Sequence, residues 1–140
     1  MNGKYYLCKP ILAAQMKALF YIFIGGGIGS ICRYLIQVSL SSNGNGKFPL
    51  STFLANLTGC LLIGSFYSIA EHLHFSQETR LALTVGACGG FTTFSTFSNE
   101  NLQLIRQGEY LLFFVYCTCS ILLGIISVGC GYWIGNKLTV

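Results

Sequence analysis

Four long stretches of the chain carry almost no charge, and short polar segments separate them. The first runs from Ala18 to Leu40 and meets a single charge, Arg33. The second runs from Thr52 to Ala70 and the third from Leu81 to Ser98, both without charge. The fourth, Tyr110 to Ile134, is 25 residues without a charge. A membrane-spanning helix needs about 20 apolar residues, so each stretch predicts a crossing helix. The connections are short. Ser41–Ser51 holds Asn-Gly-Asn-Gly, a turn signal. Glu71–Arg80 and Asn99–Glu109 hold most of the remaining ionisable groups.

Composition agrees with that pattern. Of 140 residues, 53% are hydrophobic and only 9% are charged, with a mean hydropathy of +0.63. A soluble domain carries about 25% charged residues. An ordinary cytosolic enzyme, a disordered tail and a nucleic-acid-binding module are therefore excluded. The net charge of +4 is thinly spread and makes no basic patch for a nucleic acid. The predicted organisation is a basic N-terminal tail over 1–17 and one four-helix membrane domain over 18–140. The tail and the run after it resemble a signal peptide, but the run is too long, meets Arg33 and lacks a small-residue cleavage site. Seven cysteines, with no C-x-x-C spacing, read as small packing residues.

Topology is nearly unbiased. One side of the membrane would carry Lys4, Lys9, Lys17, Arg80 and Lys137, and the other Arg33, Lys47 and Arg106. Lys and Arg set orientation, and without the two distal tail lysines the sides are equal. Such a chain can insert both ways, which favours an antiparallel homodimer. The competing reading is that this modest bias sets one orientation.

Candidate chemistry lies inside the spans. Gly25 and Gly29 form a G-x-x-x-G pair that lets another backbone approach closely. Arg33 either snorkels to the interface or faces a water-filled cavity. Thr52, Asn56 and Gly59 share nearly one face of the second span. Asn56 either bonds a neighbouring helix or replaces water around a passing anion. The third span holds Gly86, Gly89 and Gly90 within five residues, followed by a run of hydroxyls. That composition predicts a broken helix, whose freed carbonyls can coordinate a hard cation. Phe91, Phe94 and Phe97 recur every three residues. The fourth span places Tyr116, Ser120, Gly124 and Ser127 along one face, as a track of donors or as bonds within the bundle. No nucleophile–base pair, metal cluster or nucleotide motif is present, so an enzyme is not expected.

Three segments together resemble the Fluc (CrcB) family of fluoride channels: Gly25-Gly-Gly-Ile-Gly-Ser-Ile-Cys-Arg33-Tyr34, Ala55-Asn56-Leu57-Thr58-Gly59, and Gly86-Ala-Cys-Gly-Gly-Phe-Thr-Thr-Phe-Ser-Thr-Phe97. The third run is the specific one, and the match covers the chain from about Phe20 onward. The resemblance implies an all-α integral membrane protein, with four transmembrane helices and a broken third helix, working as an antiparallel dual-topology homodimer with two pores. It implies passive fluoride efflux from the cytoplasm across the cell (inner) membrane. It also implies a structural sodium ion at the dimer centre, on the backbone carbonyls of Gly89 and Thr92. On matching positions Phe94 and Phe97 line the pores, Asn56 is the pore-lining asparagine, Arg33 stands near the vestibule, and Tyr116 and Ser120 form the upper polar track. Thr52 and Ser95 add hydroxyl donors. The alternative is a small dimeric exporter of another substrate, coupled to protons. That would want a titratable carboxylate or histidine at membrane depth, and the four stretches hold none.

Overall fold

A computed structural model describes residues 3–41 and 47–139. The Asn-Gly-Asn-Gly turn lies outside the described residues, as do the side chains of Lys4, Cys8 and Lys9. Among the described residues every regular element is helical: α1 (Gly3–Ser41), α2 (Leu50–His72), α3 (Gln77–Leu81), a π-helical segment (Ala82–Cys88), α4 (Gly89–Phe91), α5 (Phe94–Arg106) and α6 (Tyr110–Thr139).

Among the described residues, three helices are long and apolar enough to cross a membrane: Ala14–Leu40 within α1, α2 and α6. The third charge-free stretch is not one of these three. It is a succession of short helical pieces with two extended residues, Thr92 (φ −85°, ψ 156°) and Thr93, inside it. The reason lies in its residues. Glycines lower helix stability, and threonine hydroxyls compete for backbone donors. Residues 3–17, expected as a tail, continue the first helix, which at about 1.5 Å per residue is longer than the bilayer core.

Local signals set the ends. α2 begins directly after Pro49, whose missing N–H no helix bond requires. Ser76 caps α3 by accepting from the Thr79 N–H at 3.3 Å, and Thr93 caps α5 by accepting from the Thr96 N–H at 3.2 Å. α5 stops at Gly108, whose φ of +76° suits glycine alone.

Two pairings build the bundle. α1 lies on the π segment and α4, and α2 lies on α6. The G-x-x-x-G pair works as expected: a Cβ on Gly25 would stand 2.2 Å from the Ala82 carbonyl oxygen, and one on Gly29 2.1 Å from that of Ala87. The outer faces of α1 and α6 expose large apolar side chains such as Phe23, Leu111 and Ile125, as lipid contact requires. Cys88 is buried, whereas Cys32 and Cys130 lie on exposed faces, so packing inside the single chain accounts for only part of the cysteines.

Candidate functional site

A groove of about 350 Å³ runs along the third segment, between α2 and α6. Its walls include Asn56, Gly59, Cys60, Thr84, Gly89, Thr92, Phe94, Phe97 and Ser120. Six residues singled out from the sequence therefore meet in one place: Asn56, Gly89, Thr92, Phe94, Phe97 and Ser120.

Asn56 holds both polar groups of Thr93's backbone. Its Oδ1 accepts from the Thr93 N–H at 2.9 Å, and its Nδ2 donates to the Thr93 carbonyl at 3.4 Å. In a continuous helix the Thr93 N–H would bond to the Gly89 carbonyl. The Thr96 N–H would likewise bond to the Thr92 carbonyl, but it goes to Thr93 Oγ1. The Gly89 and Thr92 carbonyls thus lose their helical donors. Both side-chain bonds are local consequences of an amide and a hydroxyl placed beside an extended residue.

Ser120 contrasts with its neighbours. Its hydroxyl is buried and has no hydrogen-bond partner among the described residues. Buried hydroxyls are ordinarily paired, and one that is not needs a reason. Beside it, Phe94 and Phe97 make a tilted contact with 5.9 Å between ring centroids. The Phe94 ring is 80% exposed in the single chain. Gly124, one turn on from Ser120, is buried, and a Cβ added there would stand in ordinary van der Waals contact, 3.6 Å from Cys60 Sγ.

Four predicted residues are not in the groove wall. Thr52 and Tyr116 are completely buried, and both donate to one carboxylate: Thr52 Oγ1 to Glu100 Oε1 at 2.7 Å, and the Tyr116 hydroxyl to Glu100 Oε2 at 2.8 Å. Tyr116 also meets the Phe97 ring in a tilted contact, 5.0 Å between centroids, so this cluster adjoins the groove through one ring. Ser95 lies on the exposed side of α5, 3.2 Å from Thr93 Oγ1. Arg33 is half-buried and does not line the groove. Its Nε donates to the Gly90 carbonyl at 3.2 Å, and Ser30 Oγ donates to the same oxygen at 3.4 Å.

Glu100 is the residue that sequence reasoning missed. The charge pattern puts it just past a span ending at Ser98, yet α5 continues to Arg106 and brings it between Thr52 and Tyr116. A signal is present: Glu100 follows Phe94 and Phe97 at the same three-residue step.

Comparison with known proteins adds to this geometry. The family described as "CrcB-like protein, Camphor Resistance (CrcB)" matches residues 20–132. A protein of Phocaeicola vulgatus named "Fluoride-specific ion channel FluC" is 51% identical over 121 residues, covering 86% of this chain and 100% of that protein. Proteins of the same name from Flavobacterium psychrophilum and Ignicoccus hospitalis are 42% and 38% identical, each over 88% of this chain and 100% and 98% of their own lengths. Three long apolar helices and these relatives make the chain a multi-pass membrane protein. The chain belongs to the CrcB family.

Proposed function

We propose that the protein is a fluoride-specific ion channel that lets fluoride leave the cytoplasm passively. The name of the relatives supports the ion, and the unpartnered Ser120 hydroxyl in the groove is the observation that carries the mechanism. Fluoride is small and strongly hydrated, so a pathway must replace its water with donors. Ser120 Oγ–H is one such donor, and Asn56 Nδ2 keeps a second hydrogen beyond the one aimed at Thr93. Phe94 and Phe97 offer ring edges, the electropositive part of an aromatic ring. A negative cell interior then favours anion exit by about 2.3 kcal/mol per 100 mV.

The working unit in this reading is an antiparallel dual-topology homodimer in the inner membrane. Phe94, highly exposed on an open groove, supports it, because a second copy would close the groove and cover the ring. The third segment then acts as a broken membrane helix, and its extended Thr92 and Thr93 support that role. A structural sodium ion fits the same place. The carbonyls of Gly89 and Thr92, deprived of their helical donors, would hold it, and a hard cation is suited to such oxygens. When bound it would supply a fixed positive charge between the two copies.

Purified protein in liposomes tests the reading. Fluoride efflux is expected from the parent, and Ser120→Ala should slow it about tenfold, the loss of one charge-assisted bond. Undiminished efflux in Ser120→Ala would remove the proposed donor.

One observation favours a second reading. Glu100, held by Thr52 and Tyr116, is a carboxylate of the kind that a proton-coupled exporter needs. Uphill fluoride movement driven by a proton gradient would select that reading, and flux indifferent to the gradient selects the channel.

A further inference from the structure

The carbonyls around the interruption are sorted by what reaches them. Cys88's accepts from the Thr92 N–H and from Thr92 Oγ1, both at 3.0 Å. Gly90's accepts from Arg33 Nε and Ser30 Oγ, and Thr93's from Asn56 Nδ2. The helical donors of Gly89 and Thr92 have been taken by Asn56 Oδ1 and Thr93 Oγ1. Arg33 is thus on the one carbonyl between them that a side chain from α1 can reach.

The contact is tightly defined. A Cβ on Gly90 would stand 2.4 Å from the Gly26 carbonyl oxygen, so α1 and α4 touch backbone to backbone. Ser30 and Arg33 are one turn apart on α1 and converge on the same oxygen. The ion pair among the described residues is Lys47–Glu109, so no carboxylate competes for the guanidinium.

We infer that Arg33, seconded by Ser30, is a positioning residue: its Nε–H holds the Gly90 carbonyl toward α1, which leaves the neighbouring Gly89 and Thr92 carbonyls directed away from α1 and available as ligands. Its charge is not what the channel uses at the mouth. The charge strengthens a hydrogen bond inside the protein instead. The inference rests on the reading of Gly89 and Thr92 as cation ligands.

Side-chain geometry allows charge and donor to be separated. In Arg33→Gln the amide nitrogen falls where arginine Nε stood, so the donor stays and the charge goes. In Arg33→Met the shape stays and both go. In Arg33→Lys the charge stays, but the atom at that place is a methylene. Fluoride efflux from liposomes is measured for each variant across a series of sodium concentrations, at constant ionic strength. The expectation is that Gln stays within about threefold of the parent, Met loses about tenfold or more, and Met raises the sodium concentration giving half-maximal flux. Lysine should fall below Gln. Gln and Met losing flux equally, with Lys at the parent rate, would overturn the inference in favour of a mouth charge. Should Arg33→Met fail to assemble, Ser30→Ala decides. A raised sodium midpoint supports the inference, and an unmoved one overturns it. The underlying cation reading fails separately, if the parent's flux is the same when sodium is replaced by a bulky organic cation. The Gln–Met comparison of flux then still decides whether Arg33 positions Gly90.

Discussion

The α2–α6 pair and the α1–third-segment pair use the same packing device and reach different ends. In both, glycines bring backbones into contact. A Cβ on Gly131 would stand 2.0 Å from the Leu61 carbonyl oxygen, much as one on Gly29 would meet Ala87. Yet α2 and α6 stay continuous over 23 and 30 residues, while the third segment breaks into short pieces. Close packing is therefore not what interrupts a helix here. The polar groups make the difference. Between α2 and α6, Ser65 donates to the Leu61 and Gly131 carbonyls and Ser68 to Asn136 Oδ1, so the serines bond without taking a helical N–H. In the third segment, Asn56 and Thr93 capture two N–H groups that a helix would have used. One region is a frame, and the other is a backbone whose N–H groups have been drawn to side chains.

That contrast can be broken by mutation, and the largest effects should come from the rearranged region. Phe94→Ile and Phe97→Ile are expected to bring fluoride flux to background while the proposed dimer still forms on size exclusion. Normal flux in both would remove the rings from the pathway. Asn56→Leu should also abolish flux. Leaving the Thr93 N–H without its acceptor should lower stability by about 1–3 kcal/mol as well, read from thermal unfolding in detergent. An intact melting temperature with normal flux would show that the interruption does not depend on the amide.

The frame should respond in stability rather than in selectivity. Gly131→Ala forces a methyl against the Leu61 carbonyl and should cost about 1–3 kcal/mol, as overpacking does, while whatever protein remains folded discriminates among anions as the parent does. Ser120→Ala sharpens the comparison from the other side. Removing an unpartnered buried hydroxyl should leave the melting temperature unchanged or raised, in spite of the slower flux. A fall in stability would mean that Ser120 belongs to the frame. The smallest effect is expected from Lys47→Gln, which removes the exposed pair with Glu109 and should change stability by less than about 1 kcal/mol.

Much of this division is legible in the sequence. Charge-free stretches locate α1, α2 and α6, because lipid demands apolar length. The three glycines and the hydroxyl run mark the third segment as poor helix material, and Gly25 and Gly29 mark a close contact. The resemblance to a known family groups Asn56, Phe94, Phe97 and Ser120 along one pathway, and the fold brings them to one groove. What stays hidden depends on the register between helices. Periodicity assigns Asn56 to a face, but only the alignment of α2 with Thr93 shows both ends of its amide on one peptide unit. Arg33 offers a choice between interface and cavity, and its bond to Gly90 needs the height of α4 against α1. Thr52 and Tyr116 look like free donors until Glu100, a residue past the predicted span end, is seen between them.

The central claim is that neutral donors and ring edges, arranged around an interrupted helix, pass fluoride in particular. Paired measurement of fluoride and chloride efflux from liposomes containing the purified protein tests it most directly, with Phe94→Ile as the control for leak. The account predicts rapid fluoride efflux from the parent, chloride retained, and neither anion released by the variant. Chloride leaving the parent liposomes as fast as fluoride, or fluoride held as firmly as chloride, would contradict it.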